Sequence, residues 1–148
     1  MRRLAVFICT LCLALPLMAA DYAKPERKEQ FGELTVHYNA FASTFLQPEI
    51  AKTNDLIRSK NQGVLNISAI KGGKGIPANV TGKVKDLTGR ENNLSFTQIN
   101  DKGAVYYIAQ FAVDSNSSAI YTFTINVKAG NEDAHSFSFN QEIYTGEK

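Results

Sequence analysis

From Phe31 onward the chain alternates apolar and polar residues with a period of two, in short runs broken by turn residues roughly every ten positions. Only an extended strand points successive side chains to opposite faces, so this pattern commits the chain to sheet. Leu34, Val36, Tyr38 and Ala40 share one face, with Glu33, Thr35, His37 and Asn39 on the other. Tyr121, Phe123, Ile125 and Val127 alternate in the same way with Thr122, Thr124, Asn126 and Lys128. Gly72–Gly75, Asn100–Gly103, Ser115–Ser118 and Gly130–Asp133 supply the turns between runs. Ala104–Val113 is apolar on both faces, the mark of a central strand or of one covered from outside. The count comes to about seven strands. This predicts an all-β fold, an immunoglobulin-like antiparallel β-sandwich, with a small β-barrel as the alternative. The Cys-Trp-Cys trio of antibody domains is missing, because the chain has no tryptophan.

One stretch departs from the alternation. Between a strand that starts before His37 and one that resumes at Leu65, residues Ala42-Ser43-Thr44 end the period-two pattern. Pro48 suits the first turn of a helix, and Glu49 beside it favours the positive end of the helix dipole. A helix over Pro48–Asn54 is too short to stand alone, so Ile50, Leu56 and Ile57 are expected to pack it onto the sheet. Phe45 and Leu46 are expected to cap the core. The same stretch gathers polar groups with no evident role in a sheet, and loops on a rigid scaffold commonly carry function. The candidate binding residues are therefore His37, Tyr38, Asn39, Arg58, Lys60 and Asn61.

The N-terminus reads as an export signal over residues 1–20. Arg2 and Arg3 precede an apolar run from Leu4 to Leu15, and Pro16 comes before the small residues Ala19 and Ala20. Cleavage is expected after Ala20, with Ala19 as the other choice. The apolar run is much shorter than the roughly 20 residues that span a bilayer, so no stable membrane anchor is expected. Residues 21–30 read as a charged N-terminal arm, and 31–148 as a single domain. Both cysteines, Cys9 and Cys12, leave with the signal, which removes disulfides, thiolate chemistry and Cys-ligated metals from the mature chain. Arg2 and Arg3 leave too, so the 16 basic residues become 14 against 14 acidic ones. A near-neutral domain lacks the basic footprint of a nucleic-acid binder.

Catalytic and cofactor motifs are absent. Gly72-Gly73-Lys74-Gly75 is followed by Ile76-Pro77 and a strand, whereas a phosphate-binding loop ends in Gly-Lys-Ser/Thr and opens a helix. No serine is framed by nucleophile-elbow glycines, and the two histidines, His37 and His135, are nearly a hundred positions apart. Both methionines, Met1 and Met18, lie in the signal, and no acidic cluster has calcium-loop spacing. No cofactor and no metal site is expected.

The runs HYNAFASTFLQPEIAK, IRSKNQGVLNIS, GAVYYIAQFAV and FNQEIYTG, in that order, resemble the bacterial family known as domain of unknown function 4426. The resemblance covers about Phe31 to Tyr144. It implies a small exported protein of Gram-negative bacteria, hence a periplasmic location, and carries over no catalytic or binding residue. The expected function is a non-enzymatic binding or accessory module for a protein or envelope component. The first alternative is a small-molecule or metal-ion binding module with His37, Tyr38 and Arg58 lining a pocket. The second is a hydrolase with an unconventional site.

Overall fold

The computed structural model describes residues 27–114 and 118–144. The signal segment, residues 21–26 of the charged arm and most of the Ser115–Ser118 turn lie outside them. Ten strands form two antiparallel sheets among the described residues. The first sheet contains β1 (Lys28–Phe31), β2 (Leu34–Ala42), β3 (Gln62–Lys71), β8 (Ala104–Ala112) and β7 (Thr97–Asp101) in that spatial order, with β4 (Lys74–Gly75) also paired to β3. The second contains β10 (His135–Ile143), β9 (Ala119–Lys128), β5 (Asn79–Lys85) and β6 (Glu91–Leu94).

This is the expected immunoglobulin-like sandwich. Each sheet is built from hairpin pairs that alternate along the chain, and β8 returns to β3 while β9 returns to β5, giving Greek-key crossings. The sheets stay separate hydrogen-bonded units, so no closed barrel forms. The strand count exceeds seven for local reasons. Residues 28–30, read from sequence as part of a charged arm, pair with β2 from Lys28↔His37 to Gln30↔Thr35. The run containing Leu94 and Phe96 splits into β6 and β7, because the chain changes sheets there. Gly72 and Gly73 take positive φ, which a tight β3–β4 turn requires.

The alternation read from sequence holds on β2: Leu34, Val36 and Ala40 are buried, while His37 and Asn39 are exposed. Facing them across the sandwich lie Phe123, Ile125 and Val127 of β9. An aromatic chain ties the layers together. Phe111 meets Phe123 edge-on at 5.0 Å, Phe123 stacks on Phe139 at 5.0 Å, and Tyr38 stacks on Phe139 at 4.2 Å. Two buried tyrosine hydroxyls brace the ends: Ala78 N–H donates to Tyr107 Oη at 2.7 Å, and Asp114 N–H to Tyr121 Oη at 3.1 Å.

Both readings of the β8 strand are met. It lies between β3 and β7, and its outer face is also covered, because Ile108 joins Leu46, Ala51 and Val64 in a second apolar cluster. That cluster sits outside the first sheet, under the β2–β3 connection.

Candidate functional site

The connection from Ser43 to Asn61 contains a 3-10 turn (Ser43–Phe45) and one short helix, α1 (Pro48–Thr53). Pro48 begins α1 with Glu49 in its first turn and Lys52 in its last, a charge order that suits the helix dipole. Positive φ at Asp55 follows the helix end, and Leu56 N–H returns to Ala51 O at 2.8 Å. Six residues cannot hold a helix in water, so tertiary contacts must do so. Those contacts come from Leu46, Ala51 and Leu56. Ile50 and Ile57, expected to do this packing, are instead 40% and 58% exposed, and Phe45, expected to cap the core, is 67% exposed. The short connection can turn only one side of itself to the sheet, and Leu46 and Ala51 fill that side.

Three side chains fasten the connection. Ser43 is fully buried; its Oγ donates to Ser59 O at 2.9 Å and accepts from Ser59 N–H at 2.8 Å, joining the two ends. Arg58 Nε donates to Leu46 O at 2.9 Å and Nη2 to Thr44 O at 3.1 Å. Gln110 of β8 accepts from Ile57 N–H at 2.9 Å and donates to Ile57 O at 2.8 Å, as a neighbouring strand would. Six hydrogen bonds thus hold the connection in one shape.

Between α1 and β7 an open cleft of about 540 Å³ crosses the outer face of the first sheet. Its walls are apolar, from Phe41, Leu46, Ile50, Ile99, Tyr106 and Ile108, and its polar lining includes Glu49, Asp101 and Asn66. Asn66 also lines a smaller hollow of about 350 Å³ with Arg27, His37, Tyr38, Asn39 and Ser68. Its Oδ1 is buried and has no hydrogen-bond partner among the described residues. The Arg27 guanidinium lies over the Tyr38 and Phe139 rings at 5.4 and 5.6 Å and donates to Asn140 O at 3.2 Å. Burial of the Tyr38 ring raises its phenol pKa; Arg27 opposes that shift and Glu29 adds to it.

The six residues proposed from sequence fall into two groups. His37, Tyr38 and Asn39 gather in the hollow. Arg58, Lys60 and Asn61 lie near the Ala42↔Gly63 pair, five residues along the strand from His37↔Ser68, or about 17 Å. Arg58 lines neither hollow nor cleft but fixes Leu46, a cleft wall. Lys60 is exposed, and Asn61 O accepts from Val113 N–H at 2.9 Å. The cleft residues Asn66, Ile99, Asp101 and Tyr106 were not singled out by sequence. Their one signal was the two-faced apolarity of β8, which implied a covered outer face. Among the described residues no group of three or more His, Cys, Asp or Glu side chains is placed to hold a metal, and no helix is long and apolar enough to cross a membrane.

No curated protein matches the chain. Among solved structures, a Pseudomonas aeruginosa protein of the DUF4426 family is 46% identical, with a TM-score of 0.74 over 82% of this chain and 97% of its own. A copper-bound variant of FetP from uropathogenic Escherichia coli is 13% identical, with a TM-score of 0.56 over 82% of this chain and 96% of its own. FetP as isolated after expression in the E. coli periplasm is 12% identical, with a TM-score of 0.54 over 79% of this chain and 92% of its own. At such identity the FetP likeness is one of fold. The family described as domain of unknown function (DUF4426) matches residues 28–146, and the chain belongs to that family.

Proposed function

We propose that this protein is an exported, periplasmic binding module without catalytic activity, which docks a protein or envelope component on its β2–β3 connection. The observation that carries the reading is a contrast within that connection. Six hydrogen bonds hold it rigid, yet Phe45, Ile50 and Ile57 point outward. A loop that only joined two strands would need neither feature. Rigid apolar side chains beside an open cleft lower the ordering cost of association, which favours a docking role. The cleft offers carboxylates, a phenol and amides but no imidazole, and it suits recognition better than acid–base chemistry. The copper belongs to FetP. Here His37 lines the outer hollow while His135 stacks on Phe31 at 4.4 Å, so the two imidazoles serve different places.

Site-specific photocrosslinking in cells tests this reading. A photoreactive residue replaces Phe45, and a second, in a separate variant, replaces the exposed Lys128 on the other sheet. The expected result is a discrete protein adduct from position 45 alone. No adduct at 45, or the same adducts from both positions, overturns the proposal.

A further inference from the structure

The cleft carries information about what it receives. Among the described residues, Glu49 and Asp101 stand in its lining and no lysine or arginine does; Lys52 and Lys102 lie next to it in sequence but outside the lining, and Asn66, shared with the hollow, has a buried Oδ1 without a hydrogen-bond partner. Two carboxylates set in apolar walls, with amides and hydroxyls but no cation in the lining, are complementary to a group that combines an apolar body with a cationic hydrogen-bond donor. The cleft also reaches Ile99, Asn100 and Asp101 of β7, a strand that among the described residues pairs only with β8. An unpaired strand edge beside side-chain pockets is the arrangement that receives an added strand, in which backbone groups pair along the edge and alternate side chains enter the pockets.

We infer that the cleft between α1 and β7 binds an extended peptide segment of a partner protein, which places an apolar side chain against Tyr106 and Ile99 and an adjacent lysine or arginine toward Glu49 and Asp101. The inference rests on the docking role proposed above and names the chemistry of the partner. It separates this surface from the Arg27–His37 hollow, whose charge is of the opposite sign.

Fluorescence anisotropy of the purified protein with labelled nonapeptides tests it. The peptides have leucine at alternate positions and differ at one flanking position, which is lysine, glutamine or glutamate. The expected order of affinity is lysine over glutamine over glutamate. Glu49→Gln combined with Asp101→Asn is expected to weaken the lysine peptide about three- to tenfold, as two partly exposed ion pairs would, and to abolish the difference among the three. Both positions are exposed, so the fold is expected to survive, and thermal melting checks that it does. Equal affinity for the three peptides, no saturable binding of any, or equal competition by free hexylamine overturns the inference. The Phe45 crosslink separates the two proposals. An adduct that persists in the double variant leaves the docking role standing and removes the basic-segment chemistry, whereas absence of any adduct in the wild type removes the docking role itself.

Discussion

Replacing Ser43 by alanine isolates what fastens the connection. Alanine keeps the shape of the site apart from one oxygen, so almost no cavity term arises. What is lost is the pair of bonds to the Ser59 backbone, at 2.8 and 2.9 Å, made by a side chain with 0% exposure. Each buried backbone group left without a partner costs about 1–3 kcal/mol. Ser59 is only half-buried, and water can reach part of it, so the low end applies and the sum is about 2–3 kcal/mol. For a domain of this size 1 kcal/mol corresponds to roughly 3–5 °C, which predicts a melting temperature lower by about 6–15 °C. Circular dichroism melts and urea titrations measure it, with the exposed Ser95→Ala as a control expected to stay within about 0.5 kcal/mol of wild type. A Ser43→Ala variant melting within about 2 °C of wild type would refute the claim that this hydroxyl closes the connection.

Gln110→Ala removes both bonds to Ile57, and an expected loss of about 1–2 kcal/mol can be read from the same urea titrations. Gly82→Ala is expected to cost about 1–3 kcal/mol, because a Cβ there would lie 2.7 Å from Ile125 Cδ1 and 2.8 Å from Thr124 O; an unchanged urea midpoint contradicts it. Lys71 binds Glu132 across the two sheets, and this bond lowers the carboxyl pKa of Glu132. A lowered folded-state pKa means the unfolded chain takes up protons first, so the stabilisation is present above the ordinary carboxylate range near pH 4 and fades as pH falls through the folded value. Glu132→Gln should therefore melt below wild type at pH 7 and approach it at about pH 3; a gap that widens in acid refutes the assignment.

Much of this fold was legible because its physics is local. Alternation on β2 and β9 follows from the pleat alone, and Pro48 with Glu49 marks a helix start wherever it occurs. The short strands were harder. Lys28–Gln30 carries no apolar alternation, and only its register against β2 makes it a strand. The site was legible in place but not in roles. The excess of polar residues around the connection was real, yet Ser43 and Arg58 serve as its internal fasteners. No sequence pattern announces a hydroxyl that bonds a backbone sixteen positions away, or a glutamine that reaches fifty-three. The exposed side of the connection is hidden from sequence for a related reason. Ile50 and Ile57 look like packing residues by type, and only the small face available beneath Leu46 and Ala51 turns them outward.

The connection is a built surface rather than a loose loop, and amide hydrogen exchange reads that directly. The Ile57 and Ser59 amides, bonded to Gln110 Oε1 and Ser43 Oγ, should exchange at least about a hundredfold slower than unstructured peptide, corresponding to local opening near 3 kcal/mol. Exchange of both amides at the rate of an open chain, with the strand amides still protected, would contradict it.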